Sequence, residues 1–448
     1  MISPPLRKYL SAPGLLKTVR QCFNRIADHR QSGSVEIPLT DALMSGLAIF
    51  SMKYPSLLKF DEQRNEPVIR SNLQHLYSVD KAPCDTQLRE IADPVCPESL
   101  YPAYNALFRQ LQKGNVLEKY RFLDGYYLVS MDGTGHFASS SINCPECCIK
   151  EHRNGDVSYY HQLLAAVIVH PELSSVIPFA PEAIVKEDGQ TKNDCERKAA
   201  KRLLARIRKT HPNLPLIVVQ DGLFGTGPHI NLLKSLDIRF LIVVKEGDHQ
   251  TLFDTVRKKY DNDEMQGYSY YDEDEKATFV LRFASDIPLN KSHPDLLVNY
   301  LEQAQVVDAE EQILFSWITD LKLDEKNCHD VMRGGRARWK IENETFNTLK
   351  TQGYRLEHNY GHGQQHLATV FALLMMLAFF IDQIQESSCQ LFRQARRRFR
   401  SRTSLWDKMR ALFTSYFIDD WMFFWQSIIR GHKAAKLCPD DSDLPPSV

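Results

Sequence analysis

Two apolar runs in the middle of the chain end in the same dipeptide. Tyr126-Tyr127-Leu128-Val129-Ser130-Met131 leads into Asp132-Gly133, and Leu214 to Gln220 (LPLIVVQ) leads into Asp221-Gly222. Short, uninterrupted apolar runs of this kind read as strands buried on both faces, which requires helices to cover the sheet. Leu163–Val169 and Ser175–Ile184 read as further strands between them, followed by a helix over Cys195–Lys209 with apolar positions at 199, 200, 203, 204 and 207. A helix over His229–Leu236 and a strand over Phe240–Val244 come next. The order predicts an α/β layer around a mostly buried sheet. Ligands gather at the carboxyl ends of strands in such sheets, and a Gly after the acid permits a sharp turn and close approach. Either Asp-Gly alone is better explained as turn chemistry.

The flanks have a different texture. Residues 1 to about 120 read as helical, with Thr40 capping a helix that begins at Asp41 and Asp85 capping one through Leu88 and Ile91. Prolines 94, 97 and 102 then separate a further helix over Tyr101–Gln112. Residues 246–335 hold 20 Asp/Glu against 9 Lys/Arg, a net −11, with strand-like runs at Thr278–Phe283, Leu296–Val307 and Ile313–Ile318. They read as an acidic, β-rich insertion. Residues 336–412 reverse the sign, with 13 Lys/Arg against 6 Asp/Glu, a net +7. The whole-chain charge of −1 is therefore a cancellation that conceals a basic region suited to nucleic acid. The basic part carries a helix over Arg336–Thr351, an apolar helix near 368–381 and six arginines between Arg393 and Arg402. A loose tail is expected from Cys438.

Other classes are excluded. The N-terminus lacks the charged and apolar regions of a signal peptide, and the run Ala368–Ile381 is too short for a membrane span. Ten cysteines without a secretion signal read as reduced thiols of a cytoplasmic protein.

A third acid joins the two aspartates. In the helix-forming stretch Arg336 to Lys350 (RARWKIENETFNTLK), Arg338 and Glu342 stand at i and i+4 and share a face, with Lys350 only loosely on that side. Carboxylates of this kind suit Mg²⁺, while Arg and Lys suit phosphate. Two ions about 3.5–4 Å apart would activate the attacking oxygen and stabilise the leaving one.

These residues carry a resemblance. Asp132 (MDGTG), Asp221 (VVQDGLFGTGPH) and Glu342 resemble the DDE set of prokaryotic insertion-sequence transposases, in the group whose last acid lies in a Tyr-x₂-Arg-x₃-Glu-x₆-Lys signature. The likeness extends from about Pro83-Cys84-Asp85-Thr86 to the C-terminal helices. It includes Tyr159-Tyr160-His161-Gln162, Lys192-Asn193-Asp194-Cys195-Glu196 and Leu356-Glu357-His358-Asn359-Tyr360-Gly361-His362-Gly363. The resemblance implies a ribonuclease-H-like mixed sheet with flanking helices, interrupted by the β-rich insertion, with helical regions at both termini. It implies Asp132, Asp221 and Glu342 as metal ligands for two Mg²⁺ (Mn²⁺ as a substitute), and Arg338 and Lys350 as phosphate contacts. Two departures stand out: Gly335 occupies the Tyr position, and Lys350 comes one residue late. Counted back from Lys350, Glu344 competes with Glu342, and the Arg338 spacing selects Glu342.

The implied function is a transposase that cuts DNA at the ends of its element and joins the 3′ ends to target DNA. The rivals are a nuclease of the same fold and a non-catalytic DNA-binding relic. The expected partner is double-stranded DNA, bound by a homodimer at the nucleoid in the cytoplasm. The expected organisation is a helical front (1–120), a catalytic core in two parts (121–245 and 336–385) around the insertion (246–335), and a basic helical end (386–448). Arg396, Arg397, Arg398 and Arg400 are expected on the phosphate backbone.

Four further features read as follows. Cys144-Pro145-Glu146-Cys147-Cys148, near His136 and His152, supplies half of a zinc site; with no second half nearby, the reading taken is reduced cysteines in a turn. His358, His362 and His366 read as loop or phosphate-contact residues rather than metal ligands, because Gly361 and Gly363 interrupt any helix there. Trp317 reads as a core residue before a base-stacking one. Asp194 and Glu196 read as charge complementing a helix N-terminus.

Overall fold

A computed structural model describes residues 8–31, 33, 35–185, 195–308 and 310–431. The readings placed on Lys192–Asp194 and on the tail from Cys438 lie outside the described residues.

The central runs form strands, although Ser175–Ile184 splits into two and two short strands were not expected. In chain order these are β1 (Arg121–Phe122), β2 (Tyr126–Ser139), β3 (Cys148–Glu151), β4 (Val157–His170), β5 (Leu173–Pro178), β6 (Glu182–Ile184), β7 (Leu216–Gln220) and β8 (Arg239–Val243). β2 lies antiparallel to β4 and parallel to β7, and β7 lies parallel to β8. Leu128, Val129, Leu163–Val169 and Ile217–Val219 are completely buried, as strands covered on both faces must be. The helix Glu196–Thr210 packs on β4 and β6 with Ala199, Ala200, Leu203, Leu204 and Ile207 inward, the face read from the spacing. This mixed sheet with helices at both termini is consistent with a ribonuclease-H-like transposase fold.

The acidic insertion continues the same sheet. After the helix Gln250–Asp261 come β9 (Gln266–Asp272), β10 (Ala277–Asn290), β11 (His293–Val307) and β12 (Glu310–Thr319), an antiparallel meander. β12 joins it to the core by pairing antiparallel with β8, Trp317 opposite Val243. Trp317 is fully buried and stacks on Phe315, so it is a core residue and presents no face to a base.

Expectations need correction at three places in the chain: at Asp132, at the two N-terminal helix caps, and over Arg336–Thr351. Asp132 does not end its strand, because β2 runs on to Ser139 against β4. What ends there is the parallel pairing: β7 stops at Gln220, so Asp132 lies just beyond the last bonded pair, Ser130–Val219. Thr40 is not a cap. Pro38, with φ −57°, precedes a helix that already begins at Leu39, and the Asp41 carboxylate takes Arg20 (2.8 Å) and the Asp80 N–H (3.1 Å). Asp85 is likewise the first helical residue, with Cys84 at the cap.

The third correction concerns Arg336–Thr351, which is not one α-helix. It is an α-helix to Arg336, a 3₁₀ turn over Ala337–Trp339, a π-helix over Ile341–Phe346 and an α-turn over Asn347–Thr351. A π-turn closes i to i+5 and so absorbs one extra residue. The π-turn lies in the stretch that carries Glu342 on towards Lys350.

The apolar helix extends over Leu367–Ser388, long and apolar enough to cross a membrane by composition, yet it is buried within the fold. It packs on β5 and on the wholly buried helix Leu39–Ser51. Asp382 within it meets Lys53 and the Tyr354 hydroxyl, both buried.

Candidate active site

Asp132 and Asp221 are brought together by register. Each acid lies two residues beyond Ser130–Val219, the last parallel pair of β2 and β7, Asp132 still on its strand and Asp221 just past the end of β7. Asp221 also accepts from the Leu223 N–H (3.1 Å) as cap of a 3₁₀ turn, so the turn reading holds for it as well. Asp132 accepts from the Gly133 N–H at 2.9 Å. Burial pushes the Asp132 pKa up, and the charges of Asp221 and Glu342 push it the same way, against Gly133 N–H and Arg338. The three acids thus share one electrostatic neighbourhood.

Glu342 reaches this neighbourhood through a fixed backbone. The Ser130 hydroxyl donates to the Arg338 carbonyl (2.8 Å), anchoring the 3₁₀ turn to β2 two residues before Asp132. From that anchor Arg338 Nη1 comes to 3.8 Å from Asp132 Oδ2, with the guanidinium 4.2 Å from the Trp339 ring centre. Glu344 interacts with Lys340, whose ammonium bonds the Leu173 carbonyl on β5 at 2.7 Å. Lys350 pairs with Glu357 at 3.1 Å.

A fourth acid lies here. Glu196 starts the helix Glu196–Thr210, as the helix-dipole reading requires. Its carboxyl also has a raised pKa, from burial and then from Asp132 and Asp221. A Cβ on Gly133 would stand 2.3 Å from Glu196 Oε1, so the glycine makes room for this approach. A helix-start Glu carries no sequence signal for such a role. Arg338 is a cation beside this acid group, and carboxylate oxygens are the donor type that a hard divalent cation takes.

Next to the acids opens a cleft of about 630 Å³, lined among others by Asp221, Lys245, Phe315, Arg336, Arg338 and Trp339. Trp339 is 49% exposed, so the aromatic face near the site is Trp339 and not Trp317. Gly335 sits beneath it. A Cβ there would lie 2.5 Å from Trp317 Nε1, so the indole fills the room a side chain would need. Gly335→Tyr is expected to cost about 1–3 kcal/mol or more by overpacking, read as a lower denaturation midpoint.

The arginine cluster is partly committed to the fold. Arg393 donates to the Ser387 carbonyl (3.3 Å), Arg396 to that of Phe399 (3.0 Å), Arg398 to that of Ile429, and Arg402 pairs with Glu386 (3.1 Å). Arg396 is half-buried, which lowers its pKa, and it closes its own helix end rather than standing free for phosphate. Arg397 and Arg400 are exposed.

The family described as transposase DDE domain matches residues 150–380, more than half the chain. The chain belongs to this family. The matched region of the transposase includes Asp221 and Glu342 and begins after Asp132. No curated protein matches the chain.

Cys144 and Cys147 are free thiols in a turn, as read, but the histidines beside them are not the two that lie near in sequence. His152 bonds Ser158 instead (2.8 Å), and His136 stacks beside His161. The groups that reach Cys147 are His161 and His362, 14 and 215 residues away in sequence. The second half of the motif is therefore spatial, which is why no local pattern shows it. His366 lies 2.8 Å from Glu146, and His358 stands edge-on to Tyr360.

Proposed function

We propose that this transposase cuts DNA at the ends of an insertion sequence and joins the freed 3′ ends to target DNA, with Asp132, Asp221 and Glu342 as its metal-holding acids. The observation that supports this most is that Asp132 on β2 feels the charges of both Asp221, at the end of β7, and Glu342, on the π-helix, with Arg338 3.8 Å away. Two Mg²⁺ ions, replaceable by Mn²⁺, would supply activation of the attacking oxygen and neutralisation of the leaving one. Arg338, held over Trp339, orients a non-bridging phosphate oxygen at the acids, and Lys350 takes a neighbouring phosphate after exchanging its Glu357 partner. The first step hydrolyses the phosphodiester at the element end; in the second the freed 3′-hydroxyl attacks a phosphorus of target DNA, and the target strand's own 3′-oxygen leaves as its hydroxyl. Two ends must be held at once, so the working form is a homodimer on double-stranded DNA. Residues 121–245 and 336–385 form the catalytic core in this reading, 1–120 and 386–448 its DNA-facing flanks.

The test is an incubation of the protein with Mg²⁺, end DNA and a supercoiled target. Labelled 3′ ends covalently joined to target are the expected products; free ends that are never joined identify a hydrolysing nuclease instead. Arg397→Ala with Arg400→Ala is expected to lower the salt slope of DNA affinity by about 1.8, since each phosphate contact contributes about 0.9, without changing the cleavage rate at saturation. Binding measured over a range of salt concentrations checks this.

A further inference from the structure

We propose that Cys144, Cys147, His161 and His362 hold one structural Zn²⁺, at a site separate in chemistry from the acids. All four residues are buried, and their ligand atoms lie within 4.8 Å of one another. The Sγ atoms of Cys144 and Cys147 are 3.8 Å apart, and His161 Nε2 lies 3.4 Å from each. His362 Nε2 lies 3.2 Å from both Cys147 Sγ and His161 Nε2. A tetrahedron with Zn–S near 2.3 Å and Zn–N near 2.0–2.1 Å has S–S, S–N and N–N edges of about 3.8, 3.5 and 3.3 Å. The five edges given above lie within about 0.3 Å of those lengths. The sulfurs are too far apart for a disulfide, whose S–S length is about 2.05 Å.

The surroundings match a closed structural site. Cys144 and Cys147 flank a turn in which the Cys147 N–H donates to the Cys144 carbonyl at 3.1 Å, the local fold of a Cys-x₂-Cys pair. His362 Nδ1 donates to the Gly363 carbonyl at 3.0 Å, which leaves Nε2 unprotonated and directed at the sulfurs. Gly361 and Gly363, with φ of +147° and +74°, shape the loop that carries it. Two thiolates and two imidazoles select zinc over Mg²⁺, and four protein ligands leave no position open for substrate. Binding releases the two thiol protons to solvent.

The consequence is a cross-link where the topology lacks one. The ion would tie the loop between β2 and β3, strand β4, and the segment between the Glu342 helix and the core helix Leu367–Ser388. His161 and His362 are 201 residues apart, so the tie closes a long loop. It thereby steadies both ends of the acid-bearing scaffold.

Metal analysis of the purified full-length protein tests this. One zinc per chain is expected, with Cys147→Ser and His362→Ala each losing most of it. Should those variants fold poorly, the wild-type chain grown with Co²⁺ supplies a second readout. Intense visible bands of tetrahedral cobalt and a thiolate charge-transfer band in the near ultraviolet are expected. A folded wild-type protein that takes up neither metal, and whose Cys144 and Cys147 thiols react equally with and without added zinc, overturns the proposal.

Discussion

Glu342→Gln is expected to slow DNA-end cleavage by about 10³-fold or more, whereas Glu344→Gln stays within about threefold of the parent chain. The larger figure follows from losing several kcal/mol of charge stabilisation when one carboxylate leaves a two-metal site. The difference between neighbours follows from placement: Glu342 acts on Asp132, and Glu344 on Lys340 beside β5. Cleavage rates under saturating Mg²⁺ check it, and equal losses in both variants would sink the assignment. The same acid group fixes a sign for pH. Asp132 and Glu196 have raised pKa values when folded, so the folded chain binds protons more tightly than the unfolded one. The metal-free protein therefore loses stability as pH rises from the ordinary carboxylate range through these raised values. Mg²⁺ is expected to restore it, so its stabilising effect grows with pH over that window.

Asp382→Ala is expected to cost about 3–5 kcal/mol of stability. The substitution leaves the Lys53 ammonium buried with the Ser51 carbonyl at 2.8 Å, between the rings of Trp406 (4.1 Å) and Tyr354 (4.5 Å). It also orphans the Tyr354 hydroxyl. Removing both charges, as Lys53→Met with Asp382→Leu, is expected to recover most of the loss, because the penalty lies in the unpaired charge. Denaturant titration of the parent and the two variants decides this; a single-variant loss below about 1 kcal/mol would show that the pair does not hold the N-terminal region to the core helix.

The sequence was most legible where periodicity and burial coincide. The runs at 126–131, 163–169 and 214–220 became strands because both of their faces are covered, and the spacing at 199, 200, 203, 204 and 207 became the inward face of a helix. Asp132 was located, but its setting was misread: a strand does not reveal where its neighbour stops, and β7 ending at Gln220 is what opens its side. The Arg336–Thr351 stretch has helical composition throughout, so its 3₁₀ and π turns left no pattern to read. Glu196, Trp339 and the pairing of His161 with His362 depend on contacts across the sheet, for which a single sequence carries no pattern.

The central claim is that Asp132, Asp221 and Glu342 form one metal-dependent cutting site. It is tested most directly by cleavage of the DNA flanking the element, comparing the parent chain with Asp132→Asn and Asp221→Asn. The parent is predicted to release 3′-hydroxyl ends only with Mg²⁺ or Mn²⁺, and each folded variant to release none. Identical ends from parent and variants, or none from any of them, would contradict the account.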